Sequence, residues 1–303
     1  MAITIPYSTD PNDLLHPGQA QNFFDPQHGD VPSDEALCAE MARLAYLRHE
    51  DQGGHGRLEA ILRDRAKFEL GPCFNKSGTQ GFAATRSSPA GDRVTVVAFR
   101  GTEPNELADL RLDALFWPSS WGDGAKVHTG FAKALGFIRD QFLDVIRSVP
   151  GRLLLTGHSL GAGLAVLAAS LVPAERRGQT LLCTFGCPRV GDEKFGASLA
   201  GLKHLRYAGA CDLVTWVPPA ALTPYRHHGI FRCIDHEGQI HELGSGEAAH
   251  AAAAPLQAGC TQISPIEIAY RLIARQVPVN QLSDHAPINY MSALWGLRPR
   301  PPV

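Results

Sequence analysis

The chain has 303 residues, of which 44% are hydrophobic and 19% are charged. Its 28 basic and 30 acidic residues leave a formal charge of −2, which is typical of a globular protein and argues against nucleic-acid binding through bulk positive charge. No stretch approaches the roughly 18 uninterrupted apolar residues of a membrane-spanning helix, so we expect no transmembrane segment.

Residues 1–32 contain five prolines and follow neither a helical nor a strand period, which predicts an extended N-terminal arm. The opening MAITIPYSTDPND lacks the basic and apolar regions of a secretory signal, so a cytoplasmic protein is the default expectation, with export by another route left open. Seven cysteines, several in apolar surroundings, predict reduced and buried thiols. The cysteine and histidine spacings do not form a metal-binding pattern, and we expect neither a metal nor a cofactor.

Two helices and a hairpin are predicted next along the chain. Ser33 is expected to cap a helix whose apolar face holds Leu37, Met41 and Leu44. A glycine break at 53–56 then precedes a second helix over about 57–68. Two β-rich runs, 79–85 and 93–99, are separated by turn residues and predict a hairpin.

From Val127 onward the pattern alternates between helices and short apolar strands. Strands are predicted at LLLT before Gly157, at 180–185 and at 204–208, and helices at 131–145, from Ser159, at 192–200, at 265–274 and at 285–297. This alternation predicts an α/β fold with a mostly parallel sheet and helices on both faces. Because no linker or repeat divides the chain, we expect a single domain over 1–303.

The segment Gly157-His158-Ser159-Leu160-Gly161 is a G-x-S-x-G motif between a buried strand and a helix of small residues. This is the setting in which a sharp turn exposes a nucleophilic serine and the glycines avoid collisions. Ser159 is therefore the predicted nucleophile, and an inert serine in a glycine-rich turn is the alternative.

Further segments in the same order are VVAFRGTE at 96–103, VHTGF at 127–131, TFGCPRVGD at 184–192 and DLVTWVPP at 212–219. Together with the serine motif, they resemble the class three lipases, a family that includes triacylglycerol lipases, feruloyl esterases and phospholipase A1 enzymes. The resemblance extends over about 79–295. It implies the α/β-hydrolase fold of a fungal-type triacylglycerol lipase.

A serine hydrolase needs a histidine base and a carboxylate that orients it, and in this fold both follow the serine in the chain. Asp212 follows the predicted strand at 204–208 and begins the segment that resembles the family's carboxylate motif. Three other aspartates are less suitable. Asp192 is expected to cap a helix, Asp235 to lie in a hairpin, and Asp284 to adjoin the candidate histidine.

The sequence offers several histidines after Asp212, at 227, 228, 236, 241, 250 and 285, and spacing alone does not choose among them. The resemblance implies His285 as the base, because Asp-His followed closely by Tyr290 matches the family's context. His227 and His228 resemble a family segment whose histidine is structural.

Two groups are predicted to bind the oxyanion. The first is the N–H of Leu160, which follows the nucleophile. The second is Thr102, since Gly101 permits close backbone approach at the end of the earlier strand and the resemblance implies the same position.

Residues 103–123 combine acidic groups with large apolar residues, and the resemblance implies a lid over the site. A helix packed permanently on the domain is the alternative. Leu107, Leu110, Trp117 and His158 are the candidates for substrate or lid contacts. Glu106 stands where many relatives have tryptophan.

These residues predict a serine carboxylic ester hydrolase that cleaves acylglycerols or related acyl esters through an acyl-enzyme. The expected partner is a small-molecule or lipid ester, with transient contact to a lipid surface. Phospholipase A1 action, acyl transfer by the same triad, and a non-catalytic binding module are the alternatives.

Overall fold

The computed structural model describes residues 23–24, 30–87, 91–101, 117–149, 151–257 and 285–296. Its centre is an eight-stranded sheet in the order β1-β2-β3-β6-β7-β8-β9-β10, and β4 and β5 form a separate pair. The strands are β1 Glu69–Lys76, β2 Thr79–Ser87, β3 Arg93–Phe99, β4 Pro118–Trp121, β5 Ala125–His128, β6 Arg152–His158, β7 Thr180–Phe185, β8 Lys203–Gly209, β9 Ile230–Ile234 and β10 Ile240–Ser245.

Strands β3, β6, β7, β8 and β9 run parallel, and both edges of the sheet end in antiparallel strands. The middle strands β6 and β7 are almost entirely buried, as expected for parallel strands covered on both faces. The predicted α/β-hydrolase architecture, including the hairpin of β2 and β3, is confirmed.

Helices cover both faces of the sheet. They are α1 Asp34–Leu44, α2 Gln52–Ala60, α3 Thr129–Ser148, α4 Leu160–Ala169, α5 Ala174–Arg177, α6 Glu193–Ala197, α7 Gly246–Ala251 and α8 Pro287–Leu294. Helices α1 and α8 pack on one face and α3 and α4 on the other, each with its own apolar core. The residues Phe131, Leu135, Ile138, Phe142 and Val145 form an apolar stripe along α3, and all five are buried.

The sequence-based boundaries were wrong at two places near the start of the sheet. Helix α2 begins at Gln52 and includes the glycines that were expected to interrupt it, and a π-helical turn, Ile61–Ala66, continues it. Gly54 lies directly on the carbonyls of Leu47 and Arg48, where no side chain would fit, so it marks a close approach rather than a break. Strand β1 was not predicted, because Gly71, Pro72 and a register shift interrupt its period.

The expectation of reduced thiols also needs correction. Cys38, Cys73, Cys183 and Cys187 are free thiols, but Cys211 is disulfide-bonded. A sequence does not reveal which thiols the fold brings within bonding distance.

Some predictions fall on residues outside those described. They include most of the arm 1–32, the helix at 265–274 and the end of the last helix. The single domain over 1–303 stays a prediction. Within the described ranges, no helix is both long and apolar enough to cross a membrane.

Candidate active site

Ser159 lies in the turn that joins β6 to α4. Its backbone angles, φ 60° and ψ −129°, are strained for a residue with a side chain. A Cβ on Gly157 would lie 2.3 Å from the carbonyl oxygen of Gly161, and one on Gly161 would lie 2.3 Å from the carbonyl oxygen of Phe99. The turn therefore requires glycine on both sides of the serine, as the motif predicts.

Asp212 follows β8 and begins a short 3-10 helix, Leu213–Trp216. Its Oδ1 accepts a hydrogen bond from the N–H of Val214 at 2.9 Å, while Oδ2 accepts from Tyr290 and from His285. Burial raises the pKa of Asp212, but the nearby His285 and the hydrogen bonds from His285 and Tyr290 outweigh it, so the pKa stays below its usual value. Asp212 is thus an ionised carboxylate in a fixed orientation.

His285 lies two residues before α8, and its Nδ1 is 2.8 Å from Oδ2 of Asp212. A carboxylate only accepts hydrogen bonds, so Nδ1 carries the proton and, in a neutral ring, Nε2 carries a lone pair. That Nε2 and Oγ of Ser159 are both buried and have no hydrogen-bond partner among the described residues. They do not bond to each other in this structure, as is common before substrate binds.

Strand β7 joins these groups in space. Phe185, its last residue, accepts the main-chain N–H of Ser159 at 2.9 Å. The next residue, Gly186, lies against the pair, since a Cβ there would be 2.8 Å from Oδ2 of Asp212 and from Nδ1 of His285. The structure therefore brings the three predicted residues together at the carboxyl edge of the sheet.

His158 is not placed as a substrate contact, contrary to the sequence-based expectation. Its ring is buried, with Nδ1 2.9 Å from Oη of Tyr46 and Nε2 2.5 Å from the carbonyl oxygen of His285. Both ring nitrogens are therefore used within the protein.

The two oxyanion candidates differ in what the structure describes. Leu160 begins α4, and its N–H lies in the first turn, where N–H groups have no partner within the helix. Thr102 lies outside the described residues. Its neighbour Gly101 is buried against His158 and Ser159, so the chain approaches Thr102 from beside the nucleophile.

The predicted lid, residues 103–123, includes residues at its C-terminal end that belong to the domain itself. Residues Pro118–Trp121 form β4, which pairs with β5, and the indole of Trp121 donates to Ser170 at 3.0 Å. These contacts anchor the end of the segment to the domain. Trp117, just before β4, is 69% exposed, whereas Leu107 and Leu110 lie outside the described residues.

The competing residues have structural roles. His227 bonds through Nε2 to the carbonyl oxygen of Thr215 at 2.7 Å, and His228 through Nε2 to that of Gly191 at 3.2 Å. Burial holds the pKa of both rings below the usual value. Asp192 caps α6 through the N–H of Phe195, and Asp235 accepts main-chain N–H groups in the β9–β10 turn, both as predicted.

Two further side chains near the site, those of Tyr46 and Arg189, were not predicted from the sequence. Tyr46 reaches the site from a segment 112 residues before His158, and no local pattern marks it. Arg189 binds Glu247 and also donates to the carbonyl oxygens of Trp216, which ends the 3-10 helix after Asp212, and of Pro218 just beyond it. The residues described contain no group of three or more His, Cys, Asp or Glu that could hold a metal ion, and the absence of a metal or cofactor stays a prediction.

The sheet and the site define an α/β-hydrolase: a serine at a strained strand-to-helix turn, followed along the chain by a carboxylate and a histidine. The fold agrees with solved structures. A triacylglycerol lipase described as having a serine protease triad as its catalytic centre matches with a TM-score of 0.55 and 24% identity, over 70% of this chain and 82% of that one.

Sequence comparison points to one family among the proteins that share this fold. Residues 96–222 match the family model described as lipase (class 3). The lipase of Rhizomucor miehei is 32% identical over 143 residues, which cover 43% of this chain and 39% of the relative. The chloroplastic phospholipase A(1) DAD1 of Arabidopsis thaliana is 31% identical over 160 residues, which cover 45% of this chain and 36% of the relative. The matched segments cover less than two fifths of the length of these two curated relatives, so the similarity to class 3 lipases extends over part of the chain, with the family model matching residues 96–222.

Proposed function

We propose that the protein is a serine carboxylic ester hydrolase that cleaves acylglycerols or related acyl esters through an acyl-enzyme. One observation carries the proposal: His285 is fixed by Asp212 at Nδ1 and keeps Nε2 without a partner in the described protein, next to the strained Ser159. Two buried polar atoms without partners are costly, and a reaction that uses both explains why they are kept.

In this reaction Nε2 of His285 takes the proton of Ser159 as Oγ attacks the acyl carbonyl carbon. The tetrahedral intermediate collapses when His285 gives that proton to the leaving alcohol, and the acyl group stays on Oγ. Water then attacks the acyl-enzyme with the same base, releasing the acid and restoring the serine. Asp212 stays ionised throughout and stabilises the imidazolium.

The oxyanion of each tetrahedral intermediate is assigned to the N–H of Leu160 and to Thr102. Removing one such donor typically lowers the rate by about 10²-fold to 10³-fold. Because α4 begins at Leu160, the positive end of its dipole also points at the developing charge.

Phospholipid cleavage is the second candidate, favoured by the similarity to a phospholipase A(1). Acyl transfer differs only in that an alcohol replaces water at the acyl-enzyme. Contact with a lipid surface through the segment that ends at the exposed Trp117 belongs to the same proposal. The cytoplasmic location stays a prediction.

The test combines covalent labelling with a substrate series. A fluorophosphonate should label the wild type at Ser159, and p-nitrophenyl esters of short to long acyl chains should be hydrolysed. Ser159→Ala should abolish labelling and lower turnover by about 10⁴-fold to 10⁶-fold, and Asp212→Asn by about 10⁴-fold.

Three results separate the alternatives. Faster release from a phospholipid than from a triacylglycerol would move the substrate assignment to phospholipids. Ester formation with an added alcohol would indicate acyl transfer. A folded wild type that neither reacts with the fluorophosphonate nor cleaves any ester would indicate a binding module and overturn the proposal.

A further inference from the structure

The histidine that precedes the nucleophile is buried among the aromatic rings beside the site. The ring centroid of His158 lies 4.4 Å from that of His285, 5.8 Å from that of Tyr290 and 5.9 Å from that of Tyr46. Its two nitrogens bond in opposite directions, to a side chain and to a main-chain carbonyl. His158 therefore links parts of the chain that are remote in sequence.

The direction of these hydrogen bonds follows from the partners. The carbonyl oxygen of His285 only accepts, so Nε2 of His158 must donate to it. In a neutral ring Nδ1 then accepts, and the hydroxyl of Tyr46 donates. Burial and the nearby His285 hold the pKa of His158 well below its usual value, so the ring is neutral.

Besides bonding to His158, Tyr46 also lies close to Gly101. A Cβ on Gly101 would lie 2.3 Å from Oη of Tyr46 and 2.6 Å from the carbonyl oxygen of His158. Both residues therefore lie against the strand end that leads to the oxyanion candidate Thr102. The chain of contacts runs from the main chain of His285, through His158 and Tyr46, to Gly101.

We propose that Tyr46 and His158 form a positioning pair, which holds the base His285 by its main-chain carbonyl and sets it relative to the loop at Gly101. The proposal rests on the hydrolase function proposed above. The side chain of His285 is oriented by Asp212, whereas its backbone is fixed by His158. Two independent restraints thus define where Nε2 points.

A neutral His158 also suits the chemistry. His285 becomes an imidazolium when it takes the serine proton. A second positive ring at a centroid distance of 4.4 Å would oppose that charge. Because both nitrogens of His158 are engaged in a buried site, the ring stays neutral and can hold the base without disfavouring its charged form.

Three variants test the pair. His158→Leu removes the donor to the carbonyl of His285, and kcat should fall by about 10²-fold, with KM changed less than about twofold, because small misplacements of a catalytic group have effects of this size. His158→Gln keeps a donor near the position of Nε2 and should restore kcat to within about tenfold of wild type. Tyr46→Phe should lower kcat by about 3-fold to 10-fold.

Two matched controls separate positioning from general stability. Tyr225→Phe removes a buried hydroxyl that has no hydrogen-bond partner among the described residues, and His228→Leu removes a ring that bonds a main-chain carbonyl away from the site. Both should keep the wild-type kcat. A fall in kcat with either control equal to that of its matched variant would overturn the proposal.

A second readout does not depend on catalysis. The proton shared by Nδ1 of His285 and Asp212 should give a far-downfield ¹H NMR signal, which should shift or broaden in His158→Leu and return in His158→Gln. An unchanged signal together with wild-type kcat in His158→Leu, or no recovery by Gln in either readout, would overturn the proposal. If His158→Leu does not fold, the kcat values of Tyr46→Phe and His158→Gln test the proposal in its place. If the wild type cleaves no ester, the proposed function fails, while the NMR signal still tests the pair.

Discussion

Tyr290 donates its phenolic hydrogen to the carboxylate oxygen of Asp212 that also accepts the hydrogen bond from His285. The phenol oxygen in turn accepts the main-chain N–H of Gly209, the last residue of β8, at 2.9 Å. Helix α8 and strand β8 therefore meet at this one oxygen. The orientation of the acid depends on a residue that takes no part in proton transfer.

Tyr290→Phe should lower kcat by about tenfold, because a hydrogen bond to a charged group is lost from the carboxylate that orients the base. The pKa of Asp212 should rise, since the Tyr290 hydrogen bond helps to lower it. The N–H of Gly209 loses its acceptor, and the free energy of unfolding should fall by about 1–3 kcal/mol. Ester kinetics and denaturant unfolding measure both effects. With Tyr225→Phe as the control, equal kcat in both variants would contradict this role.

The sequence was sufficient where one local pattern determines the structure. The strand at Thr180–Phe185 was predicted to the residue, and Ser159 was identified because a buried strand, two glycines and a small-residue helix all indicate the same turn. Asp212 followed from its place after a strand and from the resemblance of its segment to the family's carboxylate motif. Each of these signals lies within a few residues of the group that it identifies.

Contacts between distant segments could not be predicted in this way. Six histidines follow Asp212, and only resemblance favoured His285, because Asp212 and its partner are 73 positions apart and no local pattern links them. Tyr46 was missed because its hydroxyl meets His158 across 112 residues. Cys211 was misjudged for the same reason. The pairing of such groups is set by the three-dimensional fold.

Gly101→Ala should lower kcat by about 10²-fold to 10³-fold, the usual effect of losing an oxyanion donor. The added Cβ would lie 2.6 Å from the carbonyl oxygen of His158 and 3.0 Å from Cβ of Ser159, and neither can move without shifting the turn. The strand end that leads to Thr102 should therefore be displaced. Ester kinetics measure the change.

The matched control is Gly53→Ala, in helix α2, where an added Cβ meets nothing within 4 Å. It should keep the wild-type kcat and raise the free energy of unfolding by up to about 1 kcal/mol through better helix propensity. Wild-type kcat in Gly101→Ala would show that the loop at Gly101 is not part of the site.

Ser159→Gly should be more stable than Ser159→Ala by roughly 1 kcal/mol, because glycine adopts a positive φ without the strain that any Cβ causes. Both variants should be inactive towards esters. Denaturant unfolding of the pair measures the difference. At Ser198, where φ is −67°, the same pair should show the opposite order, since glycine there only adds flexibility to the unfolded chain. The same order at both sites would contradict a strained nucleophile.

Glu247→Gln should destabilise the segment at the end of the 3-10 helix that follows Asp212. Glu247 binds the guanidinium of Arg189 at 2.6 Å and the N–H of His227 at 2.9 Å, while Arg189 holds the carbonyl oxygens of Trp216 and Pro218. The guanidinium is buried and Glu247 half-buried, so losing the charge should lower the free energy of unfolding at pH 7 by about 1–3 kcal/mol.

The effect should depend on pH in a defined direction. Burial raises the pKa of Glu247, but the hydrogen bonds and charge of Arg189 outweigh it, so the folded-state pKa lies below the ordinary 4.5. A lowered folded-state pKa means that the stabilisation is fully present above pH 4.5 and disappears as the pH falls through the folded value. Denaturant unfolding from pH 7 to about pH 3 should show the gap between wild type and Glu247→Gln closing. The control is Glu242→Gln, which breaks an exposed ion pair with Arg232 and should lower the free energy of unfolding by less than about 1 kcal/mol at pH 7. If Glu247→Gln lowers the free energy of unfolding by as little, or by an amount independent of pH, the ion pair of Arg189 and Glu247 does not stabilise this segment.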